Sequence, residues 1–408
     1  VMNTVFGMCT WFAASAVLPQ LCDLWGVSKS SGSLLTIMVN IGFLCGALAS
    51  VLARLADQIS PVRLMACGSA VAALFNVALL IPGIGFGAAV VLRFITGMAM
   101  ALVYPMACKV VSTWFIAGRG LAMGGVLGAV ALGSAAPNLV NALFPVDWET
   151  LVVVCSVISL IGAGLDLVLL KEGPFYVPPK KAVDGEEEGK EKESPIALIF
   201  KEAAEVLSVS ECCMATLGYC GHNLEVYSMW SWFKAFAEDA RIGEVLLPGS
   251  SPSKGASLAG FIVVASAGIG SIAGGIFADK YGRTLLCLVS LCLSGSISFI
   301  IGELEDYPWV VLILGSVWSA LILSDSAQYS AMMSEVANPA LVGTAVTIQF
   351  GIGYLFTVPG MYIIPALEPS WGWAWTWRTL CPGPVVAVLA MLRMRRLPGA
   401  KKMAQGKM

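Results

Sequence analysis

Apolar runs of about 20 residues, the length that carries a helix across a bilayer, recur along this chain with only short polar breaks between them. Hydropathy marks six of them at 3–22, 32–53, 63–81, 87–108, 120–143 and 150–170. Six more fall at 211–236, 256–278, 284–302, 308–331, 340–366 and 374–396. Of the 408 residues, 58% are hydrophobic and only 12% charged, whereas soluble domains run near half and a quarter. A soluble fold this apolar could not clothe its own surface. In lipid every backbone polar group must be satisfied internally, so the runs are predicted to be membrane helices.

Between the two sets lies Lys171–Ser210, with Pro178-Pro179-Lys180-Lys181 and a dense mixed-charge run from Glu186 to Glu193. That composition predicts a solvated linker, with a short amphipathic helix over 196–207. If the first helix starts inside, 18 of the 24 Lys and Arg fall on the side of the linker and both termini, and five on the other side, with Arg93 left within a helix. The bias orients the chain: termini and linker face the cytoplasmic or an equivalent side. Which membrane this is stays open. The chain opens on Val1 inside an apolar run, so a native N-terminus further upstream, with room for a targeting peptide, is expected.

The two sets also repeat. Gly275-Ile276-Phe277-Ala278-Asp279-Lys280-Tyr281-Gly282-Arg283 closes the eighth run, and a degraded copy, Ala53-Arg54-Leu55-Ala56-Asp57-Gln58 followed by Arg63, closes the second. Pro137 and Pro359 share the offset that separates Asp57 from Asp279. A common offset argues for a duplicated unit, as in many transporters. The predicted fold class is an all-α membrane protein of twelve transmembrane helices in two pseudo-symmetric six-helix halves. These are 1–170 and 211–408, the second ending in a basic tail, with 171–210 as the linker.

The GxxxDxxGR pattern of residues 275–283 resembles the loop motif of the major facilitator superfamily, and Arg93-Phe94-Ile95-Thr96-Gly97 resembles its Arg-x-x-x-Gly motif in helix 4. Three further stretches resemble a group of bacterial-type permeases of poorly defined substrate: Tyr104-Pro105 through Gly124, Gly218 through Glu225, and Asp325 through Ser330. The resemblance implies that Asp279, Lys280 and Arg283 latch an inner gate, with Asp57 and Arg63 as the weaker copy, where Gln58, Ser60 and Pro61 replace the usual basic and glycine residues. It also implies that helices 1, 4, 7 and 10 line a central cavity.

Ionisable groups inside apolar helices cost about 3 kcal/mol on insertion scales and tend to face a cavity or a partner. Arg93, His222, Glu225 and Asp325 all fall on the implied cavity helices. His222 and Glu225 stand three apart, on one helix face. They read either as a proton-coupling pair or as a structural hydrogen bond. Asp325, with Gln328 on the same helix and Gln349 on the next, forms a polar set that reads as carrying protons or binding substrate, or as only pairing with a neighbouring helix. Arg93 reads as a bidentate anion clamp or as counter-ion to Asp325 or Glu225, and is expected near one of them. Asp166 is expected to reach water near the end of its helix. Trp11, Tyr104, Tyr219, Tyr227, Trp230 and Tyr354 are candidates for the cavity wall. Trp371, Trp373, Trp375 and Trp377 read as an interfacial belt.

One histidine and 12 cysteines without metal spacing predict no metal site and no cofactor. No phosphate-binding GxxxxGK[ST] loop occurs, which argues against ATP-driven pumping, and nothing suggests an enzyme or a nucleic-acid partner. The expected function is secondary active transport, by alternating access, of a small polar or anionic metabolite with proton coupling. Its expected partners are that substrate, protons and membrane lipid. Two alternatives stand beside it: a multidrug-type efflux transporter, favoured by an aromatic, uncharged cavity, and a non-transporting transceptor or accessory subunit of a larger membrane assembly.

Overall fold

A computed structural model describes residues 2–53, 55–115, 119–144, 146–176, 195–338 and 341–406. All of 177–194, the centre of the linker, therefore lies outside the described residues, as does the side chain of Asp57. Among the described residues the chain is helical nearly throughout and forms no strand. Nine segments are long and apolar enough to cross a membrane. The last of these, Val342–Met394, runs 53 residues, about twice what one crossing needs. It is interrupted at Gly372, whose φ of 66° takes the backbone out of helical geometry.

The first apolar run does not form one helix. It breaks into α1 (Met2–Met8), α2 (Ala13–Ala16) and α3 (Leu18–Trp25). At the break the carbonyls of Thr10 and Trp11 accept from a side chain instead of from the helix ladder. After α4 (Lys29–Gly32), α5 (Leu34–Leu52) and α6 (Leu55–Gln58), the chain returns through α7 (Pro61–Val77). The fourth run also divides, into α8 (Phe86–Met100) and α9 (Tyr104–Ser112). Pro105 lies in the first turn of α9, where its missing N–H and fixed φ start a helix and stop one arriving from upstream. Then follow α10 (Arg119–Leu143) and α11 (Trp148–Leu169), the latter capped by Asp147 accepting from Thr150 N at 2.9 Å.

In the second half α12 (Pro195–Ser208) matches the helix expected in the linker. Thr344 donates to its Glu202 at 2.7 Å and Asn338 to its Glu205 at 3.1 Å. The bundle continues through α13 (Ser210–Asp239), α14 (Ile242–Leu246), α15 (Pro252–Tyr281), α16 (Arg283–Ile300), α17 (Pro308–Val336), α18 (Val342–Leu355), α19 (Thr357–Arg378) and α20 (Pro382–Met394). The tail returns to the linker end, where Gly399 N donates to Glu211 at 2.7 Å.

Small residues set the helix spacing. A Cβ on Gly42 would lie 2.0 Å from Phe94 O and one on Gly97 2.1 Å from Val39 O, so α5 and α8 approach backbone to backbone. Between the halves, α10 meets α15 where Gly128 faces Gly268 and Ser271 donates to Gly124 O at 3.2 Å. At the end remote from the linker, Asn141 donates to Ser257 at 3.1 Å and Lys234 to Ala16 O at 2.5 Å. Midway, Asn40 accepts from Trp11 Nε1 and donates to Thr357 Oγ1, both at 2.9 Å.

The tryptophan cluster departs from the expected belt. Trp371 and Trp375 are exposed as a belt requires, but Trp373 and Trp377 are buried. Trp373 donates to Asp239 at 2.8 Å, and Trp377 packs edge-on against Trp318 with centroids 5.2 Å apart.

Candidate functional site

A cavity of about 40 Å3 lies between the halves, bounded by α13 on one side and by the break after α1 on the other. It has room for a few waters and not for a metabolite. Trp11, Tyr104, Tyr219, Tyr227, Trp230 and Tyr354, the six aromatic residues expected there, all line it, joined by Phe12, His222, Asn223, Ser134 and Ser326. Rings from the two halves touch: Trp11 lies 6.1 Å from Tyr227 and 6.2 Å from Tyr354. Tyr227 and Tyr354 share a hydroxyl hydrogen bond of 2.8 Å.

Beside this wall His222 Nδ1 stands 3.0 Å from Asp325 Oδ1, with the two side chains only 2% and 1% exposed. The distance is that of an ion pair, yet the angles do not make a hydrogen bond, and both atoms lack any other partner. The two side chains are thus buried side by side with no hydrogen bond joining them. Tyr329 donates to the other oxygen of Asp325 at 2.8 Å, and its ring centroid lies 5.5 Å from that of His222. Gln349 donates to Tyr329 O at 3.2 Å, behind the pair.

The expected meeting of His222 with Glu225 does not occur. Glu225 accepts from Trp318 Nε1 at 2.7 Å and from Ser294 Oγ at 3.0 Å, within the C-terminal bundle and away from the cavity wall. Residues three apart on a helix diverge by about 60°. Here that angle, together with the antiparallel run of α17, sends His222 to Asp325 and Glu225 to Trp318, two turns away.

Arg93 is corrected more fully. It is completely buried, donating from Nε to Leu35 O at 3.1 Å and from Nη1 to Thr10 O and Asn76 Oδ1, both at 2.9 Å. Nη2 donates to Trp11 O at 2.5 Å. None of these partners is a carboxylate. Planar guanidinium offers five donors in a fixed fork, which suits the loose carbonyls left where the first helix breaks. Asn76 in turn donates to Ser156 at 2.9 Å, tying the hub to α11. Asp166 is largely buried, accepts from Asn3 and lines a separate pocket of about 120 Å3 with it.

The motif after α15 forms part of a cluster. Arg283 holds Glu335 through Nε at 3.2 and 3.1 Å and through Nη2 at 2.9 Å, and Nη1 donates to Gln328 at 2.7 Å. Gln328 therefore belongs to this clamp and not to the cavity wall. Lys280 lies over the Tyr281 ring, 4.9 Å from its centroid. Asp279 is exposed and makes a contact of its own, and Arg63, in the first-half copy, is exposed. Glu335, Asn223 and Asn40 were not singled out from the sequence. Glu335 is seven residues after Gln328, on the same face of one helix, and that spacing was a visible sign.

Buried polar side chains thus line a small cavity between two groups of apolar helices. Residues 1–358 match the profile of the Major Facilitator Superfamily, and the chain belongs to that family. A 3-(3-hydroxy-phenyl)propionate transporter of Escherichia coli (strain K12) is 31% identical over 141 residues, 32% of this chain. The match spans 31% of that protein's length. Two solved structures share the fold. A bacterial homologue of the human lysosomal transporter Spinster has a TM-score of 0.67 at 12% identity, over 100% of this chain and 96% of that one. The nucleoside transporter NupG has 0.71 at 13%, over 96% of this chain and 98% of that one.

Proposed function

We propose that this chain is a proton-coupled secondary transporter of a small organic metabolite. It works by alternating access of halves 1–170 and 211–408, with twelve crossings in all. In this reading the broken segment 2–25 and the polar helix α13 each cross the membrane, and Val342–Met394 crosses twice. The observation that carries the coupling is the His222–Asp325 pair, buried at 3.0 Å beside the cavity. Tyr329, Tyr219 and, behind them, Cys287 and Gln349 surround it, with Glu225 one turn along. A group that is protonated from one side and released to the other needs changing hydration, and a pair on the wall of an alternating cavity obtains it. Helix α12, the tail and the start of α1 gather at one end of the bundle, and the excess of positive charge in the sequence on that side supports a cytoplasmic orientation for it. Arg283, Glu335 and Gln328 form the latch at that end.

The limited kinship to an aromatic-acid transporter makes organic acids the first class to try. The test uses proteoliposomes loaded with a pH-sensitive dye and challenged with aromatic acids, aliphatic acids, amines and sugars. Substrate-dependent proton entry that disappears in His222→Gln supports the reading. Uptake of a substrate with no proton movement overturns it.

A further inference from the structure

The cavity wall is more specific than transport alone requires. Its rings come from both halves and pack on one another. Phe43 lies 4.8 Å from Tyr354, Tyr227 5.4 Å from Tyr354, and Trp11 within 6.2 Å of both tyrosines. Aromatic pairs are favourable at centroid separations of about 4.5–7 Å, so these rings close the site on themselves when it holds nothing larger than water. When the halves part, every contact between Trp11 and the two tyrosines is lost. A flat ring entering between them restores a partner to each face, whereas a saturated chain restores area without the ring geometry.

The same wall carries hydroxyls that donate or accept, and one amide donor left unpaired. Asn223 is 1% exposed and its Nδ2 has no acceptor. His222 stands on the wall, while Asp325 sits behind it, held by Tyr329. Among the described lining residues there is no Lys, Arg, Asp or Glu. An unpaired buried donor is costly and is satisfied by a ligand that brings an acceptor. A ligand cation would find no carboxylate on the wall itself, since Asp325 lies behind His222.

We propose that the site takes a planar aromatic carboxylate, its ring between Trp11 and the Tyr227–Tyr354 pair and its carboxylate on Asn223 and His222. This rests on the transport reading for its location and deepens it by naming the substrate class. Entry of the anion together with one proton onto the His222–Asp325 pair adds no net charge to the site.

The experiment is a binding titration of the purified full chain in detergent, read by thermal shift and tryptophan fluorescence. The probes are 3-phenylpropionate, 3-cyclohexylpropionate, 3-phenylpropan-1-ol and 2-phenylethylamine. 3-Phenylpropionate is expected to bind more tightly than the other three. Tyr354→Leu and Trp11→Leu should each weaken it about tenfold, and Asn223→Leu should erase its advantage over the alcohol. Elution of each variant as a single species checks folding, and Tyr354→Phe, which keeps the ring, should lose less than Tyr354→Leu. Equal binding of the cyclohexyl acid overturns the ring slot. Preference for the amine makes the site a cation site, and no binding by any probe overturns the substrate class. Binding without accumulation in liposomes would leave this assignment standing and remove the transport reading. Proton-driven uptake of a non-aromatic solute would do the reverse.

Discussion

Replacing Arg93 by methionine separates two roles that a buried arginine could have. In the structure its guanidinium satisfies three backbone carbonyls and Asn76 Oδ1, and three of those four acceptors are bonded at 2.9 Å or less. Methionine fills much of the same volume and leaves those oxygens without their donor. A hydrogen bond from a charged group is worth about 1.5–3 kcal/mol, but removing the charge also returns its desolvation cost. Leu35 O can fall back on the helix ladder, so the net loss is set by the Thr10, Trp11 and Asn76 oxygens at about 1 kcal/mol each. The expected destabilisation is about 3 kcal/mol, a large share of an ordinary folding free energy of roughly 5–15 kcal/mol. Arg93→Lys should recover little, because a single ammonium cannot span acceptors on α5, α7 and the break after α1. The assay is a thermal melt in detergent, paired with the affinity of the folded fraction for whichever probe binds the native chain. The apparent Tm should drop by several degrees, with the affinity of what remains folded nearly unchanged. A variant with native Tm and lost affinity would show that Arg93 contacts substrate and would refute the bracing role.

Three further outcomes are expected. Arg283→Gln, Glu335→Gln and Asp279→Asn should slow transport more than they weaken equilibrium binding, since they act at the latch and not on the cavity wall; an equal loss of both counts against the latch. Glu225→Gln should keep gradient-driven uptake and its pH profile, because a glutamine can still accept from Trp318 and donate to Ser294; a shifted pH profile would place Glu225 in the proton path. Gly128→Ala should be tolerated, as a Cβ there would lie 3.5 Å from Gly268 Cα, whereas Gly128→Leu should force α10 from α15 and abolish transport; normal transport by the leucine variant would refute tight approach at that crossing.

The helices were legible because hydropathy reports burial in lipid, and observed ends fall within a few residues of the expected ones for most runs. The breaks were harder to see. Residues 9–12 are as apolar as their neighbours, and a hydropathy window is blind to where a backbone carbonyl turns. The division at 101–103 did carry a sign, the proline at 105. The same blindness hid the partners of Arg93: its acceptors are carbonyls of an irregular segment, which no side-chain pattern encodes. For His222 the sequence offered only a partner on its own helix, Glu225, and the relative rotation of α13 and α17 brings Asp325 to it instead. The aromatic wall was legible because large rings near the middle of implied cavity helices have few other places to go. The tryptophan belt was half legible: Trp373 and Trp377 stand one turn apart and both pack inward, while the break at Gly372 sets Trp371 apart from that helix, and no hydropathy pattern marks that break.

Coupling at His222 and Asp325 is the centre of this account, and counterflow beside gradient-driven uptake tests it most directly, because counterflow needs no net movement of protons. The measurement compares wild type, His222→Gln and Asp325→Asn in proteoliposomes from pH 5.5 to 8.5, with one labelled substrate throughout. Both variants are expected to exchange substrate while failing to accumulate it against a gradient. Full gradient-driven accumulation by both, with an unchanged pH profile, would contradict the account and leave the pair a structural contact.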